Sequence, residues 1–207
     1  MKYLLFLLVC YMLPAYSQQR IYHSECGREQ TDILWQATKD DRNIYLHTKQ
    51  DAELHDYIMD CQYHTKEWRV ANPEEKTNLT IEYANGQYYI RGIFHNQPIS
   101  KKVKSKGCVW FQNIAFNAGL SLQNRSSIKY ECFRPDNLKL YTMLAESQGK
   151  EILNDRSVNK VKVSLTGLLS IFWSCTYFFD STTLDFILYK GVNGAPGTPE
   201  TIITLKK

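Results

Sequence analysis

After its first residues the chain has no stretch long and apolar enough to cross a bilayer as a helix. The most apolar run, LLSIFWSCTYFF (168–179), has twelve residues, short of the roughly 20 that a spanning helix needs. No retention or prenylation motif closes the sequence. There is no CxxC pair and no close grouping of cysteine with histidine, which argues against a zinc site. GxSxG, HExxH and phosphate-cradling glycine loops are also missing. The adjacent carboxylates Asp40-Asp41 and Glu74-Glu75 stand in polar stretches. A general acid/base pair needs carboxylates opposed across a substrate, so glycosidase chemistry is only a weak alternative. The five histidines, His23, His47, His55, His64 and His95, are scattered without ligand spacing and read as surface or pocket residues. No internal repeat suggests a propeller or solenoid. The formal charge of +4 is too small to imply nucleic acid. The expectation is a protein that is not an enzyme, without cofactor, metal or nucleic-acid partner.

What is present points outside the cell. Lys2 precedes the apolar run Tyr3 to Met12, and Ala15-Tyr16-Ser17 has the small-x-small form of a cleavage site. Residues 1–17 therefore read as a secretory signal peptide, with the mature chain starting near Gln18. About 190 residues then remain, enough for one sizeable core. Cys10 leaves with the signal, and Cys26, Cys61, Cys108, Cys132 and Cys175 stay. An oxidising compartment should pair them. The expected pairs are Cys132 with Cys175 and Cys61 with Cys108, leaving Cys26 free or linked to another chain.

Tyrosine and phenylalanine are plentiful, 14 and 9, which suits β structure. EQTDILWQAT (29–38) spaces Ile33, Leu34 and Ala37 as a short helix would. Beyond it the pattern alternates. RNIYLHTK (42–49) sets Ile44 and Leu46 against Tyr45 and His47, and DYIMDCQY (56–63) puts Tyr57, Met59, Cys61 and Tyr63 on one face. SKKVKSKG (100–107) reads as a solvated, charged edge or loop tip, with a sulfated polyanion surface as its other reading. CVWFQNIAF (108–116), SIKYECF, LKLYTML and VKVSL read as strands, as does the apolar run 168–179, covered on both faces. Residues 146–160 read as a short helix or loop. TLDFILYKG and ETIITLKK read as a closing hairpin around a Gly/Pro-rich loop.

NLTIEYANGQYYIRGIF (78–94) is the most explicit segment. A two-residue Asn85-Gly86 loop is the strongest short hairpin signal, and it pairs Ala84 with Gln87, Tyr83 with Tyr88, Ile81 with Ile90 and Leu79 with Gly92. Asn78-Leu79-Thr80 is a glycosylation acceptor, as is Asn124-Arg125-Ser126. A glycan on Asn78 must face water, so Leu79, Ile81, Tyr83, Tyr88, Ile90 and Phe94 point inward. The strand aromatics Tyr45, Tyr57, Tyr63, Tyr83, Tyr88 and Trp110 either fill a core or line a cavity. Under the second reading Tyr45, Tyr57, Tyr83, Tyr88 and Trp110 are the candidate ligand-binding residues.

The stretch SECGREQTDILWQATKDDRNIYLHTKQDAELHDYIMDCQ (24–62) resembles the opening of the tick-type salivary lipocalins. Cys26, Asp32, Trp35, Ala37, Tyr45 and Cys61 stand where those proteins have an early cysteine, a short helix, an aromatic first strand and a second strand ending in cysteine. TNLTIEYANGQYYIRGIF resembles the next two barrel strands. The GxW signature of the wider lipocalins is missing, and the chain runs on past Cys175 where the family ends in a cysteine. The resemblance implies an eight-stranded barrel that traps small amines or lipids, or blocks host defence proteins; no amine-binding acid carries over. The expected fold is thus all-β: a single secreted antiparallel barrel over 18–207 with a short N-terminal helix. A β-sandwich or immunoglobulin-like protein-binding module is the alternative. The expected partner is a small hydrophobic or amine ligand, or a host protein.

Overall fold

The computed structural model describes residues 16–123, 125–167, 173–192 and 198–206. Its strands form one sheet of fifteen. A first meander comprises β1 (Tyr16–Cys26), β2 (Glu29–Lys39), β3 (Asn43–Gln50), β4 (Glu53–Asp60), β5 (Thr65–Asn72), β6 (Thr77–Ala84), β7 (Gln87–Phe94) and β8 (Gln97–Lys104). Then come β9 (Val109–Trp110), the helix α1 (Ile114–Ser121), β10 (Ser127–Phe133), β11 (Leu140–Leu153), β12 (Arg156–Leu165), β13 (Ser174–Asp180), β14 (Phe186–Val192) and β15 (Glu200–Leu205). Only β9 and β10 pair in parallel; the other neighbours are antiparallel.

The strand order runs β8 to β1, then β15 to β9, so β8 and β9 are the two edges. These edges are consecutive in the chain, joined by the four residues Ser105–Cys108. A chain covers at most about 3.3–3.6 Å per residue, which holds the edges within about 18 Å of each other. A sheet this wide meets that condition only by rolling up. The result is barrel-like, but it is neither eight-stranded nor closed by a backbone ladder from β8 to β9.

Side chains close the seam instead. Along β10, Tyr130 and Cys132 point one way and Glu131 and Phe133 the other. Tyr130, Glu131 and Phe133 are all buried, so both faces of β10 are covered. Tyr88 crosses from β7, next to one edge, and its hydroxyl donates to Glu131 Oε2 at 2.6 Å. Glu131 Oε1 accepts from Ser105 Oγ at 3.1 Å and from the N–H groups of Lys106 and Cys108 at 2.6 and 3.2 Å. The fully buried carboxyl group is thus hydrogen-bonded by the Tyr88 hydroxyl and by a hydroxyl and two backbone N–H groups of the edge-joining loop. Burial, then the Glu131 hydrogen bond, pushes the Tyr88 phenol well above its ordinary range. Phe133 and Trp110 pack edge-on against Tyr88 at 5.0 and 5.2 Å.

A ring of this many strands is too wide for side chains alone to fill. Helix α1 occupies the space. Phe116 packs on Trp35 of β2 at 6.1 Å, and Asn117 Nδ2 donates to the Tyr63 carbonyl. Gly119 is needed for closeness: a Cβ there would stand 2.5 Å from the Leu184 carbonyl oxygen and 2.7 Å from the Phe179 ring. The main core draws on both meanders, from Trp35 and Trp68 to Phe179 and Tyr189, which does not divide into two immunoglobulin-like halves.

The Asn85-Gly86 hairpin has the expected register throughout, with Leu79, Ile81, Tyr88 and Ile90 buried and Asn78 exposed. Tyr83 is 39% exposed, because it sits at the open tip of that hairpin, and Phe94 is half-buried. Several elements differ from expectation. Residues 29–38 are strand, not helix: β2 pairs with β1 over eleven residues and with β3 over seven. Ile33, Trp35 and Ala37 face in with period two, and the hairpin ladders on both sides outweigh a short helical spacing. Segment 108–116 is strand only at Val109–Trp110; Asn113 Oδ1 then accepts the Phe116 N–H at 3.1 Å and caps α1. Residues 146–160 belong to a hairpin whose tip, Asn154-Asp155, has positive φ at both positions, a conformation these two residue types tolerate. The lysine stretch is largely strand β8, a charged edge. Residues 168–172 and Asn124 lie outside the described residues, whereas Phe178 and Phe179, on opposite faces of β13, are both buried.

Cys26, Cys61, Cys108, Cys132 and Cys175 are free thiols, so neither expected pair is joined. Cys175 is in register with Val163, Ala145 and Ile128. Cys132 is therefore three strands away and four residues further along. Three strand spacings come to about 14 Å, whereas disulfide Cα atoms lie within about 7 Å. Cys61 Sγ instead faces the Asp41 carbonyl, and Cys108 turns its N–H to Glu131. Burial pushes the Cys132 and Cys175 thiols up to about 12, which keeps them protonated and unreactive at neutral pH.

Glu131→Gln retains the shape of the seam but turns an amide N–H₂ toward donors. It should cost about 2–4 kcal/mol in urea unfolding, with Ser105→Ala, which removes one of four donors, costing about 1 kcal/mol.

Candidate functional site

The lumen is not solid. Two chambers flank a wall made of Trp35, Ala115 and Phe186, which line both. The larger, about 260 Å³, lies between the first turn of α1 and strands β2–β4 and β13–β15. Trp35, Tyr57, Tyr177, Phe186 and Tyr189 line it with aromatic rings, and Thr48, Gln50, His55, Gln112 and Asn113 are its polar side chains. The smaller, about 180 Å³, is bounded by Tyr22, Ile44, Leu46 and Phe116, with Arg20 and Asp185 at one side. A broader and open depression lies on the outer face around Asn78, Tyr89 and Arg91.

The wall is rigid because its rings brace one another. Tyr22 and Trp35 lie 4.7 Å apart, Tyr22 and Phe186 5.0 Å, and Trp35 stacks on Phe186 at 5.9 Å. The Tyr22 hydroxyl donates to the Phe186 carbonyl, and burial pushes its phenol up to about 12. Tyr57 sits within reach of Thr48 and Asn113 and is raised, first by burial. Tyr177 and Tyr189 are raised for the same leading reason. All four phenols therefore stay neutral, as hydrogen-bonding tips on apolar rings.

His55 forms part of the larger chamber's wall. Its ring lies parallel to Tyr57 at 5.9 Å and to Trp68 at 5.7 Å. Nδ1 accepts the Trp68 Nε1–H at 2.9 Å, which assigns the proton to Nε2, facing Glu53 Oε1 at 3.0 Å. That hydrogen bond is the main reason the Glu53 carboxyl is lowered. With both nitrogens engaged, the imidazole is a flat polar surface rather than a free base.

Of the five aromatics singled out from the sequence, Tyr57 alone lines a chamber. Tyr45 lies on the outer face, 37% exposed, donating to Asp40 at 2.9 Å; alternation with the buried Ile44 and Leu46 turns it outward. Tyr83 is at the hairpin tip, while Tyr88 and Trp110 are packed into the seam, Trp110 donating to Gln112 at 3.0 Å. The residues that sequence reading missed as site residues, His55, Tyr177, Phe186 and Tyr189, come from strands far apart in the chain. The signal for His55 was there: it shares the period-two face of Tyr57 and Met59.

No family model matches the chain, and no curated protein does. A solved structure does share its fold. It is titled a beta-barrel-like protein of the domain of unknown function DUF1849 from Brucella abortus, and it matches with a TM-score of 0.60 at 9% identity, over 94% of this chain and 98% of that one. At that identity the likeness concerns the fold alone. It extends the barrel-like description across nearly the whole chain. Among the described residues no helix is long and apolar enough to cross a membrane, and no group of three or more His, Cys, Asp or Glu is placed to hold a metal ion.

Two tyrosine variants separate seam from chamber. Tyr88→Phe should lower stability by about 1–3 kcal/mol, since Glu131 loses a donor, without altering the binding of a probe in the lumen. Tyr57→Phe should do the reverse, changing probe affinity more than melting temperature. Paired thermal melts and fluorescence titrations read both.

Proposed function

We propose that the protein is a secreted binding protein that holds one small, mainly apolar ligand in the larger chamber, a lipocalin-like task on a rolled sheet. The observation that carries this reading is the lining: five aromatic residues around about 260 Å³, with five polar side chains bordering the same space. Small-molecule sites have this composition, apolar walls with a few oriented polar groups. The volume suits a compact ring system rather than a long acyl chain. A neutral ligand fits better than an amine. The larger chamber has no carboxylate in its lining, and in the smaller one Asp185 is paired with Arg20. An ammonium ion brought into either would lack a counter-charge and bear the full desolvation cost.

Ala115 borders both chambers from α1, so a large side chain there fills them with little effect on the sheet. N-phenylnaphthylamine should bind the wild-type protein with enhanced emission, and Ala115→Phe should weaken that binding at least about tenfold, 1.4 kcal/mol. Native mass spectrometry of protein from its own source should reveal a retained small molecule. Equal probe binding by both proteins, together with no retained molecule, would sink the carrier reading in favour of a host-protein ligand.

A further inference from the structure

We infer that the β8 edge of the sheet is a docking surface for a linear sulfated polysaccharide. Lys101, Lys102, Lys104 and Lys106 are all exposed, and none of the four has an ion-pair partner among the described residues. The acids nearby are already taken. Glu82 of β6 faces Arg91 at 3.5 Å, and Glu67 of β5 pairs with Arg69. Lys102 lies opposite Tyr89 in the ladder. Its Nζ is 5.3 Å from the centre of that ring, and the Arg91 guanidinium is 5.9 Å from the same centre. Two cations thus crowd one aromatic, with excess positive charge running on to Lys104.

The arrangement is linear and held in place. Lys102 and Lys104 share the outer face, about 6.8 Å apart along the strand. Lys106 continues the row, its backbone anchored because its N–H is bound to the buried Glu131 carboxylate. As an edge, β8 also has unpaired backbone groups along the same line, and N–H donors there can meet sulfate oxygens. An extended polymer with regularly spaced charges matches a row; a bilayer surface would call for a cluster of apolar side chains to insert, and among the described residues of β5–β8 the large exposed apolar ones are Ile93 and Tyr83, near opposite ends of the β6–β7 hairpin. Asn78 is in register with Ile93 and Pro98, so a glycan on it would leave the lysine end clear.

Edge lysines also deter sheets from pairing edge to edge, so the test must separate docking from solubility. The full secreted chain is loaded on heparin-agarose at about 0.15 M salt, where bulk charge effects are largely screened. Wild type should be retained. Lys102→Gln/Lys104→Gln/Lys106→Gln should pass through while remaining monomeric by size-exclusion chromatography. Lys49→Gln/Lys139→Gln/Lys150→Gln, which removes the same charge from exposed lysines elsewhere, should be retained. Failure of wild type to bind, equal retention of both triple variants, or equal loss by both overturns the proposal. So does sedimentation of wild type with phosphatidylserine–phosphatidylcholine vesicles that heparin does not compete away, which would assign the edge to membranes.

Discussion

Four residues, Ser105–Cys108, join the two edges of a fifteen-stranded sheet, and the rest of the architecture follows from that short link. The sheet must roll. Edge strand β9 then lies against β5 and β10 is reached from β7, so the seam depends on side chains, and Glu131 is the centre of it. The loop that sets the distance between the edges also supplies two N–H groups to this carboxylate. Connection and closure are therefore the work of the same few residues. An acid buried among neutral donors is costly to leave short of any of them, which ties the loop, β7 and β10 together.

Rolling so many strands creates the second problem, a wide interior, and α1 answers it. An eight-residue helix does not fill the lumen evenly. Its first turn, with Gln112 and Asn113 before it, leaves space toward β3 and β4, while Gly119 lets its far end touch Leu184 and Phe179. The chambers are thus remnants of an imperfect fit between a straight element and a curved sheet. Their walls are rigid because the surrounding rings lock one another, which limits how far either chamber can open.

How much of this was legible in the sequence depended on range. The Asn85-Gly86 hairpin was readable residue by residue, since a two-residue turn dictates register locally. The all-β class and the half-buried strands around Ile44 and Tyr57 were readable from alternation, and the charge of 100–107 from its lysines, though not that most of it is strand. Residues 29–38 were not: Ile33, Leu34 and Ala37 satisfy a helical spacing, and only pairing with β1 and β3 on either side, which the segment itself does not announce, decides for strand. Asn113 was a capping signal inside an apolar run that looked like strand. The chambers were least legible of all. Tyr57 was found because it alternates with Met59, but Tyr177, Phe186 and Tyr189 become its neighbours only when the second meander is laid beside the first. Nothing local in SIKYECF reveals that Tyr88 of β7 covers Glu131.

The pairing of β1 with β15 has a consequence in time. Tyr22 lies opposite Leu205 and Cys26 opposite Thr201, so the centre of the sheet is made from the two extremes of the chain. Each meander is built from local hairpins and can form as the polypeptide emerges. The junction between them cannot, because β15 comes long after β1 in the chain. Until β15 arrives, β1 is an uncovered edge carrying Tyr22, and the unfinished molecule is a sheet with an open flank. A chaperone or a stalled ribosome would meet this protein as two half-sheets awaiting one strand.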